Sequence, residues 1–182
     1  MSGPVQNFTD ELLARLPSRL GRKPDFVIGA VADPYLLSWW VIPRNRFFNI
    51  YLHQILKDDD DRALHDHPWW NISFVLKGRL REVMPNDKAR RLKRFWPYLR
   101  RAKALHRLEV IEGPWELVSY KKGHAKIAFP KHPVWTLFIT GPRVRDWGFQ
   151  CPKDSPAGGW RHWKDFTAKN PGEVGRGCGE LD

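Results

Sequence analysis

From Pro24 onward the chain never runs far between turn signals. Short apolar runs ("DFVIGAV", "YLLSWWVIP", "FFNIYLHQIL", "NISFVLKG", "LREVMP", "LHRLEVI", "WELVSY", "AKIAFP" and "VWTLFITG") alternate with pairs such as Asp33-Pro34, Lys77-Gly78, Gly113-Pro114, Lys122-Gly123 and Gly141-Pro142. Such runs are short for helices, and the proline and glycine between them would end one. A chain of this kind must build its core from many short strands, as a sandwich or a barrel, and the expected class is all-β. Ten tryptophans and fifteen prolines in 182 residues point the same way, because tryptophan suits a pleated, half-buried surface and proline breaks helices.

The segment ahead of Pro24 differs. "FTDELLARLPSRL" reads as a short amphipathic helix, capped by Thr9, with Asp10 and Glu11 in its first turn and Pro17 and Gly21 at its end. It is expected to pack against the barrel. Residues 1–24 thus form a helical lead-in, residues 25–169 a single domain, and the glycine-rich residues 170–182 a flexible tail.

The formal charge of +11 can attract nucleic acid, anionic surfaces or acidic metabolites. No basic segment followed by an apolar run opens the sequence, and no window approaches a membrane-spanning length, so neither a signal peptide nor membrane insertion is expected. Cys151 and Cys178 form no CxxC pair and no disulfide framework. They are read as reduced thiols of a cytoplasmic protein, Cys178 lying in the loose tail without a catalytic role.

One segment carries chemistry. In "RALHDHPWWNISFVLKG", His65 and His67 stand one residue apart. On a strand, residues i and i+2 share a face, so both imidazoles can aim at one point while Asp66 points away. Neutral imidazole is the usual nitrogen ligand of iron, zinc, copper and nickel. A third ligand must come from elsewhere. His106 in "KALHRLEVI" alternates with apolar neighbours and shares a face with Leu108, while Arg107 and Glu109 share the other. His132 in "FPKHPVW" competes, although Pro133 directly after it suggests a turn. His53, His124 and His162 read as core, hairpin and packing residues.

Past His67 come three residues, Asn71, six more residues and Gly78. This spacing resembles motif 1 of the cupin superfamily, whose pattern is HxH, three or four residues, Glu, six residues, Gly. The resemblance implies a double-stranded β-helix, or jelly-roll barrel, holding a metal among its strands. "FFNIYLHQIL", "LHDH" and "LHRLE" together resemble the thiol dioxygenase branch, which also lacks the motif 1 glutamate. By that resemblance His65, His67 and His106 bind Fe(II), with Zn, Mn or Ni as other candidate metals. The resemblance departs where the branch carries a tyrosine, since Thr140 stands there. Segments such as "PRNRFFNIYLH" and "WTLFITGPRVRDWGF" are also similar to uncharacterised cupin proteins of bacteria and their phages.

The site implied is a mononuclear oxygenase acting on a small anionic substrate. A non-oxidative metal enzyme (isomerase, lyase or hydrolase) and a non-catalytic cupin binding a ligand or nucleic acid remain the alternatives. Asn71 stands near the metal as a water or substrate contact. Arg44, Arg46, Arg143 and Arg145 are the candidates for gripping a substrate anion. Residues 88–107, "KARRLKRFWPYLRRAKALHR", hold nine Lys or Arg and no acid, with Phe95, Trp96 and Tyr98 interleaved, a pattern that suits phosphate contacts and base stacking. The acidic run "DDDD", 58–61, lacks the glycine and distal glutamate of a calcium loop and reads as solvated. Cupins often pair, so a homodimer is a further expectation.

Overall fold

The computed structural model describes residues 23–30, 33–59, 63–113, 116–121, 124–128, 131–167 and 175–179. The N-terminal helix read over 9–20 lies outside them. The strands are β1 (Phe26–Ala30), β2 (Asp33–Trp40), β3 (Asn49–Ile55), β4 (Leu64–His65), β5 (Asn71–Lys77), β6 (Leu80–Val83), β7 (Ala89–Leu92), β8 (Tyr98–Arg100), β9 (Arg107–Val110), β10 (Glu116–Lys121), β11 (His124–Ala128), β12 (Val134–Thr140), β13 (Gly148–Cys151) and β14 (Gly159–His162), followed by one helical turn, α1 (Trp163–Phe166). The all-β reading holds. No helix among the described residues is long and apolar enough to cross a membrane.

The sheets are antiparallel, and their order is far from sequential. One sheet of six strands runs β1-β2-β3-β12-β5-β8, and three-stranded sheets run β14-β13-β4 and β7-β6-β9, with β10-β11 as a separate ribbon. β12 is inserted between β3 and β5 and pairs along its length with both. The main core joins the large sheet to the β7-β6-β9 sheet. Leu36, Ile55, Val75 and Val134 come from the former, and Leu80, Leu92 and Val110 from the latter. Their alternation follows the period of two: in β5 the inward residues are Asn71, Ser73 and Val75, each buried, with Ile72 and Phe74 less so. Trp39 and Trp135 stack on the opposite face of the large sheet, with ring centroids 5.6 Å apart.

Gly78 ends β5 with φ +86°, a conformation that favours glycine. A Cβ there would also lie 2.9 Å from Val134 Cγ2. The glycine of the motif therefore lets the chain turn while lying directly against β12.

A second cluster, Ala63, Phe149, Cys151, Phe166 and Cys178, is organised differently from the expectation. Cys151 and Cys178 are joined by a disulfide, with their Cα atoms 5.5 Å apart. This corrects the reading of two free thiols and of Cys178 in a loose tail, for Cys178 is fully buried. The 27-residue separation has no local signature. The pairing arises because the chain passes through β14 and α1 and then returns to β13.

Candidate metal centre

His65, His67 and His106 meet, and each is placed by the backbone. His65 and His106 form an isolated antiparallel bridge, His65 N donating to His106 O at 2.9 Å and His106 N to His65 O at 3.0 Å. His67 N donates to Ala102 O at 3.0 Å. Asp66, between the two histidines of the motif, turns the other way. Its carboxylate accepts from Gly148 N at 2.8 Å and Trp160 Nε1 at 3.0 Å, and pairs with Arg145. That anchor ties the histidine pair to β13 and β14.

One ligand atom from each of the three rings falls within 4.8 Å of the others. His67 Nε2 lies 2.9 Å from His106 Nε2. The far sides of two rings face carboxylates: Asp59 Oδ2 is 3.1 Å from His65 Nδ1, and Glu82 Oε1 is 2.9 Å from His106 Nδ1. A carboxylate on Nδ1 favours the tautomer whose Nε2 lone pair is free for a metal. The cluster is therefore compatible with a metal site.

Its electrostatics follow from burial. Desolvation, reinforced by His65, His106 and Arg100, holds the His67 imidazole well below its ordinary pKa. Burial likewise lowers His106 to about 4, against the pull of Glu82. Burial also opposes the charged form of His65, but Asp59 and Asp66 outweigh it and raise the pKa. Glu82 is driven far below the usual carboxylate range because His106 and Arg100 overcome its own desolvation.

Sequence reasoning missed three of these groups. Asp59 belongs to the acidic run read as a solvated loop, but its side chain is 11% exposed and turned to His65. Asp58 is likewise engaged, accepting from Val110 N at 2.7 Å, while the other two aspartates lie outside the described residues. Glu82 and Arg100 are both buried. Glu82 accepts from Arg100 Nε and, at 2.7 Å, from Arg90 Nε. Arg100 Nη1 also donates to Ser73 Oγ at 2.7 Å and to the Tyr98 carbonyl at 3.2 Å. The available signal was parity: Glu82 shares the face of buried Leu80, and Arg100 that of buried Tyr98.

The remaining candidates are placed as follows. Asn71 is fully buried opposite Arg100 and Thr140, its Oδ1 accepting from Arg100 Nη1 at 3.4 Å. Asn71 Nδ2 and the neighbouring Thr140 Oγ1 have no hydrogen-bond partner among the described residues. His132 is exposed and outside the histidine cluster. Arg44 and Arg46 are exposed and lie over the rings of Trp40 and Phe47. Arg143 pairs with Asp146, and Arg145 with Asp66. None of the four is bonded to a histidine of the cluster. In the basic segment, β7 pairs with β6 and β8 with β5, while Phe95 and Trp96 in the connection between them are 53% and 61% exposed.

No family model matches the chain, and no curated protein matches it. Among solved structures it is similar to Fe(II)-HppE crystallised with the alternative substrate (S)-1-HPP, at 13% identity and a TM-score of 0.47, over 66% of this chain and 56% of that one. It is similar to the DMSP lyase DddQ from Ruegeria pomeroyi DSS-3 at 14% identity and a TM-score of 0.43, over 65% and 52%. A cupin superfamily protein from Desulfitobacterium hafniense DCB-2 matches at 12% identity and 0.42, over 70% and 87%. The chain spans little more than half the length of the first two. These are likenesses of fold alone. With the HxH motif closing on Gly78 and three histidines gathered at one point, the chain is an all-β protein built of antiparallel sheets.

Proposed function

We propose that the chain is a metal-dependent oxygenase whose His65, His67 and His106 hold one divalent ion, Fe(II) before Zn, Mn or Ni, for reaction of a small anionic substrate. The observation that carries this reading is the convergence of three imidazoles with carboxylates behind two of them. The donor set fits such an ion. Three buried or half-buried imidazoles offer nitrogen donors within 4.8 Å of one another, a donor type that iron, zinc, manganese and nickel all accept.

Bound iron would supply the redox chemistry and open positions that oxygen transfer needs. The chain's own residues do the rest. Asp59 and Glu82 set a carboxylate close to the Nδ1 of His65 and of His106, which favours a proton on that side of each ring. Burial keeps His67 and His106 unprotonated and ready to ligate at neutral pH. With Asn71 in place of a glutamate, three neutral ligands leave the ion's charge uncompensated, which favours an anionic substrate.

The test is metal analysis combined with oxygen uptake. Purified protein is expected to carry about one iron per chain, and His65→Ala to abolish it. Unchanged metal content in that variant defeats the reading. Zinc without oxygen uptake would move the function to a non-oxidative enzyme on the same site.

A further inference from the structure

A cleft of 330 Å³ opens beside the centre, with Glu82, Arg100 and His106 in its wall. Its lining is lopsided in charge. Arg90, Arg100, Arg101 and Lys103 all border it, against the single carboxylate of Glu82. Arg90 and Arg100 are held by that carboxylate. Arg101 and Lys103 are exposed and have no acidic partner among the described residues. Arg100, only 5% exposed, makes its hydrogen bonds through Nε and Nη1, and its Nη2 makes none within the described residues. Met84, Leu99 and Leu105 supply an apolar wall. None of the four arginines singled out from the sequence borders this cleft.

Two exposed cations, a buried guanidinium and apolar side chains lining one cleft match one kind of ligand. We infer that the cleft binds a small amphiphilic anion, a carboxylate or phosphate head with an apolar body, through Arg101 and Lys103. This names the substrate class and its subsite, and it rests on the metal-centre reading above only for what happens to the ligand after it binds.

Calorimetric titration with hexanoate, hexyl phosphate and hexanol tests it, on metal-loaded and metal-free protein. At least one anion is expected to bind about ten-fold or more tightly than hexanol, the tighter of the two identifying the head group. Arg101→Ala combined with Lys103→Ala is expected to remove that advantage while metal content stays unchanged. The conservative pair Arg101→Lys with Lys103→Arg is expected to restore most of it. Equal binding of hexanol, unchanged affinity in the alanine double variant, or loss of metal from that variant overturns the proposal. His65→Ala separates the two readings: it is expected to lose metal and still bind the anion as metal-free wild type does. Anion binding by a protein that takes up no metal would leave the cleft standing and remove the metal centre. Metal uptake without anion binding does the reverse.

Discussion

Glu82 places one carboxylate oxygen between Arg100 and His106 and the other against Arg90, inside a wall that excludes most solvent. Replacing it by alanine leaves the Arg100 guanidinium buried without a counter-charge. Such a loss costs about 3–5 kcal/mol, to be read as a shift in the urea midpoint. Glu82→Gln keeps the shape but not the charge. Its expected signature is a 10- to 100-fold weaker metal affinity, measured against a competing chelator. A different residue sets an acid limit. His53 stacks on Phe138 and Tyr51, and burial lowers its pKa from 6.5 to about 4. Because the unfolded chain takes up the proton first, this contribution to stability is complete above pH 6.5, is lost as pH falls from 6.5 to 4, and is flat below. The loss is expected to be on the order of 2 kcal/mol, given that the ring keeps some exposure. In His53→Phe the corresponding slope in urea stability between those pH values should shrink; an unchanged slope would assign it to other groups.

At the level of elements, the disulfide joins the end of β13 to the segment after α1. Closing 27 residues of chain restricts the unfolded state by about 3.5 kcal/mol. Reductant is therefore expected to lower the unfolding midpoint by a corresponding amount and to leave a Cys151→Ala/Cys178→Ala variant unaffected. A midpoint that ignores reductant in the native chain would show that the link adds nothing. The elements also explain what could be read beforehand. β2, β3, β5 and β12 are apolar and bounded by turn signals, so their pattern is visible in the chain itself. β7 ("ARRL") is hidden because its exposed positions include two arginines, and β8 ("YLR") because one of its two buried positions is the cation Arg100 while the apolar Leu99 faces out. β4 is two residues long and is defined by tertiary pairing, with β13 on one side and His106 on the other. His65, His67 and His106 were legible because histidines beside apolar strands are conspicuous. Asp59 and Glu82 were not, since an acid looks the same in sequence whether it faces water or an imidazole.

For the molecule as a whole, the three histidines come from β4, from the segment after it and from the approach to β9, so the proposed ion would make its binding and the fold one linked equilibrium. Metal at one hundred times its dissociation constant is expected to add about 2.7 kcal/mol to stability, and a chelator to withdraw it. Thermal scans with and without added Fe(II) under anaerobic conditions measure this. A melting temperature indifferent to metal would separate the histidine cluster from any resident ion.

The reciprocal backbone bonds between His65 and His106 carry one more implication. Because strand side chains alternate faces, sliding this pairing by a single residue would present Leu105 or Arg107 in place of His106 and turn the imidazole outward. On the proposed metal reading, ion capture would act as a proofreader of strand alignment: a chain folded out of step would not load, and only the aligned chain would gain the ion's stabilisation.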